Sequence, residues 1–299
     1  MPNIIKPYIK HEDLAKIAKE APIVAETTEE KEKRKRTKKD TPLIISTIDI
    51  SDPENYITLE GKTHGTGADA YEYPDMLVAM HRLGFNQDVG KAAEQLGISV
   101  GNTAKEYSGS GPDYIGNIKW KQALMLNLTL NGETLSPRQF IDFLKLLESG
   151  KAFDGEGNKI RESRLSQILE EIVAVRKPWR AEWLDADFKI FNAQGKIAKE
   201  GELYLLTKHI IQGSELIPQY RANIEGKYLN SNSQIDKNSF NEYGLAVRAG
   251  TDFYQWYPRT DNNSVAGFGA YSVRAVLNCD WGPDYSFASL GVRLARKKI

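Results

Sequence analysis

Apolar and polar positions follow two different periods along the chain, and the change of period predicts where helices give way to strands. Apolar side chains recur every three or four residues over 137–148 and 164–175, which predicts two amphipathic helices. Ser136 stands at the capping position of the first helix and Pro137 at its first turn. Beyond residue 178 the segments shorten and Gly, Asn, Asp and Ser separate them, which indicates strands and turns.

The part of the chain before residue 137 carries weaker patterns. Residues 11–21 and 87–96 have helical periodicity, and 74–85 is predicted as a further helix because a proline suits its first turn. The apolar, β-branched run 41–50 predicts a strand. The stretch 120–130 is apolar and then alternating and ends at an Asn-Gly dipeptide, which favours a strand followed by a tight turn.

Composition divides the chain into three parts. Residues 1–40 are expected to be a flexible charged segment, because the run 26–40 contains no apolar residue. Residues 41–117, with a predicted loop over 101–117, are expected to form an extension packed on the main domain. Residues 118–299 combine helices with short mixed or antiparallel strands, so this main domain is predicted to belong to the α+β class.

Net charge, hydropathy and cysteine content indicate which partners and which cellular location to expect. The 299 residues include 40 basic and 40 acidic side chains, so no net charge attracts nucleic acid or an anionic membrane. Mean hydropathy is −0.49 and no apolar run is long enough to span a bilayer. The first residues lack the apolar core of a secretory signal, which predicts cytoplasmic synthesis. Cys279 is the one cysteine and is expected to be a buried hydrophobic side chain.

Motifs for catalysis or metal binding are incomplete. A Gly-Lys-Thr triplet at 61–63 lacks the earlier glycine of a phosphate-binding loop, because Tyr56 occupies that position. Asp154, Glu156 and Asn158 alternate as calcium ligands would, but the downstream glutamate is missing. No Gly-x-Ser-x-Gly motif is present. The histidines stand singly, at His11, His64, His81 and His209. We therefore expect no catalytic residues, no metal and no cofactor.

Several motifs together resemble the variable proteins of diversity-generating retroelements, most of all the archaeal type. The motifs are Arg176-Lys177-Pro178-Trp179-Arg180-Ala181-Glu182-Trp183-Leu184-Asp185-Ala186, Phe268-Gly269-Ala270, Cys279-Asp280-Trp281, Pro283 and Leu290-Gly291-Val292-Arg293. The resemblance covers about 118–299. It implies a C-type-lectin-like fold, related to that of formylglycine-generating enzymes.

In that family a reverse transcriptase copies a template with errors at adenines, and the copy replaces a C-terminal coding segment. The resemblance places this variable region at about 252–289. Its codons, typically AAY, can yield Asn, Tyr, Asp, Arg, Val or Phe, among others, but not Trp, Lys, Glu, Gln or Met. The expected ligand-binding positions, on one exposed surface, are Tyr254, Tyr257, Asn262, Asn263, Tyr271, Val273, Arg274, Asn278, Asp284, Tyr285 and Phe287. Gln255, Trp256 and Trp281 are expected to serve the scaffold.

The resemblance implies a non-enzymatic protein that binds an unidentified protein or cell-surface ligand, and it is compatible with association with a virion or a surface. One alternative is a metal-dependent enzyme on the formylglycine-enzyme-like scaffold. Those enzymes use active-site cysteines as copper ligands, whereas this chain has one cysteine. Another alternative is a nucleic-acid-associated protein that uses the basic run 31–39 and the predicted helices over 74–98.

Overall fold

The computed structural model of the protein describes residues 49–98, 103–104, 114–177, 179–271 and 274–298. All of them fall within one compact unit. Helix makes up 21% of the structure and strand 37%, so the protein is an α+β protein, as predicted. The predicted helix over 11–21, the basic run 31–39 and most of the predicted strand over 41–50 lie outside the described residues. The domain boundaries at 40 and 117 stay predictions.

The described residues contain four α-helices and fifteen strands. The helices are α1 Gln87–Gln95, α2 Trp120–Thr129, α3 Pro137–Glu148 and α4 Glu162–Val173, with 3₁₀ turns at Pro53–Asn55 and Gly67–Asp69. The strands are β1 Tyr56–Leu59, β2 Lys62–His64, β3 Tyr71–Tyr73, β4 Met76–Ala79, β5 Thr103–Ala104, β6 Tyr114–Ile115, β7 Arg180–Phe191, β8 Glu202–Gln212, β9 Glu215–Asn223, β10 Ser233–Ile235, β11 Phe253–Trp256, β12 Ser264–Tyr271, β13 Arg274–Trp281, β14 Leu290–Gly291 and β15 Ala295–Lys297.

A mixed sheet forms the centre of the described structure. Its strands follow the order β10-β11-β13-β12-β7-β8-β9. The short strand β14 is an additional partner of β7. The pairs β11–β13 and β14–β7 are parallel, and the other pairs are antiparallel. β13, the strand that carries the candidates Arg274 and Asn278, thus lies inside the sheet between β11 and β12.

Alternation along β7 divides the hydrophobic core between the two faces of this sheet. Leu184, Ala186 and Phe188 join the first core, which α3 and α4 cover. Ala181 and Trp183 join the second core, which α1 and α2 cover. Because side chains of a strand point alternately to its two faces, one strand supplies both cores.

The predicted helix over 74–85 is wrong, because Met76–Ala79 is strand β4. Met76 and Val78 are fully buried whereas Leu77 and Ala79 are partly buried, which is the period of a strand. β4 pairs with β1 on one side and with β15 on the other. Two long-range partners therefore decide the structure of a segment whose local signals favour a helix.

The stretch from Trp120 to Thr129 is helix α2 rather than the favoured strand, so the described part of 118–299 has three helices instead of two. Four of its five buried residues, Trp120, Ala123, Leu124 and Asn127, follow helical spacing. Residues 103–104 pair with 114–115, so the stretch predicted as a loop contains a short strand pair.

The predicted helices over 87–96, 137–148 and 164–175 are confirmed as α1, α3 and α4, the last displaced by two residues. Ser136 caps α3 as expected: its hydroxyl accepts from the Gln139 amide at 3.3 Å, and the Gln139 side chain accepts from the Ser136 amide at 2.7 Å. No helix of the described residues is long and apolar enough to cross a membrane.

Candidate ligand-binding surface

A buried ion pair joins two of the sequence motifs. The Arg293 guanidinium donates to both carboxylate oxygens of Glu182 at 2.9 and 3.1 Å, and to the carbonyls of Ala79 and Met80 at 2.8 Å each. Arg82 approaches the same carboxylate at 3.4 Å. Burial raises the pKa of the Glu182 carboxyl, but the charges of Arg293 and Arg82 outweigh it and hold this pKa below its usual value. The pair ties β7 and β4 to the segment after β14.

Two tryptophans and a glycine fix the packing of the second core. The rings of Trp183 and Trp281 meet edge to face at 5.4 Å. Both residues are buried, as expected for Trp281 as a scaffold position. The Trp183 indole donates to the Ile118 carbonyl at 2.8 Å. A Cβ added at Gly267 would lie 2.5 Å from the Trp281 ring, so only glycine leaves room for this ring across the strand pair β12–β13.

The remaining scaffold positions are also buried. Cys279 is fully buried, as predicted, and burial together with the nearby Asp280 charge raises the pKa of its thiol well above its usual value. Gln255 and Trp256 are buried, as expected for positions that serve the scaffold. The Gln255 side chain accepts from the Ala246 amide at 2.9 Å.

Beside this scaffold lies a partly exposed cluster that we call the aromatic patch, formed by Trp179, Tyr271, Tyr285 and Phe287. The Trp179 ring lies 5.9 Å from that of Tyr271 and 5.5 Å from that of Phe287. Tyr285 lies 6.1 Å from Phe287. Phe287 is 46% exposed, and the other three rings are partly buried. Two of the expected ligand-binding residues, Tyr271 and Phe287, therefore contact one tryptophan, and a third, Tyr285, contacts Phe287.

Five further candidates reach the surface to different degrees. Tyr257 is 38% exposed, and Asn263 and Asp284 are exposed. Tyr254 is partly buried and its ring lies 5.8 Å from that of Trp256. Arg274 is partly buried and its guanidinium donates to the carbonyl of Thr251. Tyr257 follows β11, Asn263 precedes β12 and Asp284 follows β13, so the register places these three toward one end of the strands. Tyr271 and Arg274 are paired at the other end.

Asn278 contradicts the expected exposure. It is 1% exposed, and its side-chain oxygen accepts from the Tyr271 hydroxyl at 2.5 Å. Its strand β13 lies between β11 and β12, and Trp256 and Gly267 occupy the paired positions on either side. Asn278 is therefore part of the scaffold beneath Tyr271.

Asn262 is partly buried and both ends of its side-chain amide are used within the fold. Its oxygen accepts from the Ile190 amide at 2.5 Å and its nitrogen donates to the Ala198 carbonyl at 2.7 Å. Its φ of 57° lies in the left-handed region that asparagine tolerates. These contacts give Asn262 a structural task in the turn before β12. Val273 lies outside the described residues.

The acidic loop after α3 is closed by its own hydrogen bonds. The Asp154 carboxylate accepts from the backbone amides of Glu156 at 3.0 Å and Asn158 at 2.8 Å. These bonds are those of an Asx turn, which explains the alternating polar residues without a cation. Among the described residues, no three His, Cys, Asp or Glu side chains stand close enough together to hold a metal ion.

Sequence reasoning missed two features. Trp179 is the centre of the aromatic patch, and its place in the motif around Glu182 and Trp183 was the available signal. His209 lies 2.5 Å from the Asp185 carboxylate, with the Trp120 ring edge-on at 5.3 Å. Both members of this pair are buried, and their positions, 24 residues apart on β7 and β8, gave no sequence signal.

No protein-family model matches this sequence, and no curated protein matches it. Among solved structures, Treponema denticola variable protein 1 is similar to this chain at 13% sequence identity. The likeness covers 81% of this chain and 94% of that protein, with a TM-score of 0.25.

Proposed function

We propose that this protein is a non-enzymatic ligand-binding protein with a C-type-lectin-like fold, and that retroelement mutagenesis diversifies its surface around the aromatic patch. The observation that carries the proposal is the position of this patch. Tyr271, Tyr285 and Phe287 are residues that an adenine-containing codon can yield, and they gather at the surface around Trp179, which such a codon cannot yield. The partner is an unidentified protein or cell-surface ligand.

The division of labour between buried and exposed residues supports the proposal. Scaffold residues such as Glu182, Trp281 and Arg293 are buried and make specific contacts. Tyr257 and Phe287, by contrast, have exposed aromatic rings. Tyrosine and asparagine at exposed positions supply rigid contact area and adaptable hydrogen bonds, as they do in antibody binding sites.

The contacts reduce the set of proposed ligand-binding residues. Asn278 is buried, and Asn262 forms hydrogen bonds within the fold with both ends of its side-chain amide. Val273 stays a prediction from the sequence. The proposed ligand-binding residues are Tyr254, Tyr257, Asn263, Tyr271, Arg274, Asp284, Tyr285 and Phe287.

The genomic test compares the codons for 252–289 with neighbouring DNA. We expect a template repeat beside a reverse-transcriptase gene, with differences from this segment confined to template adenines. In a population that carries the gene, deep sequencing should find substitutions at the codons of the proposed residues. The codons for 137–148, which encode a buried helix, are the matched control and should stay constant. Substitutions spread evenly over both segments, or no template repeat, would contradict the proposal.

A further inference from the structure

The side chain of Tyr271 lies among residues that are outside the proposed ligand-binding set. Its ring meets the Trp179 ring edge to face at 5.9 Å, and the Trp179 and Trp281 rings lie 6.3 Å apart. Its hydroxyl reaches Asn278, which pairs with Gly267 on β12. The Trp281 ring packs against this same glycine. We call the space that the Tyr271 ring fills, beside Trp179 and above Asn278, the tyrosine slot.

Two glycines of β12 leave room for a ring to lie along the strands. Alternate residues of a strand share a face, so Gly267, Gly269 and Tyr271 point to the same side of the sheet. The register pairs Tyr271 with Arg274 and Gly267 with Asn278. No side chain of β12 therefore stands between the Tyr271 ring and Asn278, and the ring can extend over the glycines toward it.

The inner end of the tyrosine slot is polar. Burial and the nearby Asp280 charge raise the pKa of the Tyr271 hydroxyl, so it is protonated and donates to the Asn278 side-chain oxygen at 2.5 Å. Asn278 is 1% exposed, and its side-chain nitrogen has no hydrogen-bond partner within the part of the chain that the structure describes. Loss of the Tyr271 hydroxyl would leave a buried amide unpaired at both ends, which favours any ligand that supplies a hydroxyl there.

The outer end of the tyrosine slot lies at the surface. Tyr271 and Trp179 are only partly buried, and Phe287 beside Trp179 is 46% exposed. Because Tyr271 itself reaches solvent, a shorter residue at this position would open the slot without moving a strand. A slot opened in this way has an aromatic wall and a single polar group at its inner end.

We propose that the tyrosine slot is a binding site for a phenolic ring, which Tyr271 fills in this chain and which a smaller residue at position 271 leaves to a ligand. Aromatic neighbours suit a flat apolar ring, and a buried amide rejects a ring that lacks the hydroxyl. A partner protein's tyrosine side chain and a small free phenol share this chemistry. The use of the site in nature rests on the proposed diversification, since the codon that yields tyrosine at 271 can also yield alanine or serine.

The test titrates p-cresol, the tyrosine side chain as a free molecule, into the full chain with Tyr271→Ala. We expect saturable binding by calorimetry and a rise in melting temperature, because a ligand that binds the folded state stabilises it. The unmodified protein, whose slot is filled by Tyr271, should show neither. Toluene has the ring without the hydroxyl and should bind Tyr271→Ala about tenfold more weakly, since it leaves the Asn278 amide unpaired.

Two further variants isolate the tyrosine slot. Tyr257→Ala removes a tyrosine that is 38% exposed near the other end of the strands, so this matched control should not bind p-cresol. The double variant Tyr271→Ala, Asn278→Leu keeps the opening and removes the amide, so p-cresol should lose its advantage over toluene. If Tyr271→Ala does not fold alone, p-cresol must restore its cooperative unfolding transition.

The proposal is overturned if p-cresol neither binds Tyr271→Ala nor restores its folding, or if the unmodified protein or Tyr257→Ala binds it equally well. Equal affinities for toluene and p-cresol in Tyr271→Ala would also overturn it, as would a preference for p-cresol that survives in the double variant. A second arm uses N-acetyltyrosinamide. Comparable affinity identifies a partner protein's tyrosine as the ligand, and binding of p-cresol alone identifies a small phenol. These results are independent of the genomic comparison, so either proposal can fail without the other.

Discussion

The Arg293 side chain commits its guanidinium to three separate residues, and its replacement is expected to be costly. Arg293→Met should lower the free energy of unfolding by about 3–5 kcal/mol, because it leaves the Glu182 carboxylate buried without its two-pronged partner. Urea denaturation measures the loss. Adding Glu182→Gln should restore part of it, since a neutral amide costs less to bury. If the free energy of unfolding of the Arg293→Met protein lies within about 1 kcal/mol of that of the unmodified protein, the Arg293–Glu182 pair is not essential to the fold.

Tyr257 and Tyr271 form a matched pair for testing tolerance to substitution. Tyr257→Ser should change the free energy of unfolding by less than about 0.5 kcal/mol, because the ring is exposed. Tyr271→Ser should cost about 1–3 kcal/mol, because it removes the hydrogen bond to buried Asn278 and the contact with Trp179. Chemical denaturation of both variants separates them. Equal losses would mean that Tyr271 is as dispensable to the fold as Tyr257.

Among the secondary-structure elements, α3 begins at a capping serine, Ser136, that also accepts a hydrogen bond from Tyr71 of strand β3. Ser136→Ala removes the acceptor for the Gln139 amide and for the Tyr71 hydroxyl, which donates to Ser136 at 2.7 Å. The expected loss in unfolding free energy is about 1–2 kcal/mol. Ser149→Ala at the exposed end of the same helix is the control and should be nearly neutral. A Ser136 variant no less stable than the control would refute the role of the cap.

The contrast between α3 and β4 shows what local sequence can predict. The bounds of α3 follow from Ser136, Pro137 and the spacing of its apolar residues, all of which act within a few residues. β4 takes its form from β1 and from β15, more than 200 residues away, and no local pattern contains those partners. The same reason applies to Asn278, whose burial depends on the neighbouring strands β11 and β12.

In the whole molecule, Cys279 lies in the core between the sheet and the helices α3 and α4. Its thiol can meet a reagent only when the sheet separates from those helices, and burial keeps it protonated. A thiol reagent should therefore label Cys279 far more slowly in buffer than in denaturant. The labelling rate should follow the global unfolding equilibrium as urea is added. Rapid labelling of the native protein would place Cys279 in a segment that opens locally.

Protonation of Glu182 should contribute to the pH dependence of the free energy of unfolding. Because its pKa in the folded protein is held below its usual value of 4.5, its contribution to stability is present above that value. The contribution is lost as pH falls through the lower, folded-state pKa. Glu133 and Asp187 have raised pKa values and act in the opposite sense, so stability must be compared between variants. The difference in unfolding free energy between the unmodified protein and Glu182→Gln should shrink as pH falls below 4.5. A difference independent of pH would exclude this assignment.

The contacts of residues 290–298 have a consequence for protein synthesis. A ribosome reaches Arg293 and β15 only after it has translated 252–289, yet these later residues hold β4 and neutralise Glu182. A premature stop codon or a frameshift within 252–289 therefore leaves a chain with an unpaired strand and a buried unmatched carboxylate. We expect such a chain to lack a stable native state and to become a substrate for cellular proteases. The segment 290–298 therefore completes the fold only when 252–289 has been translated in frame.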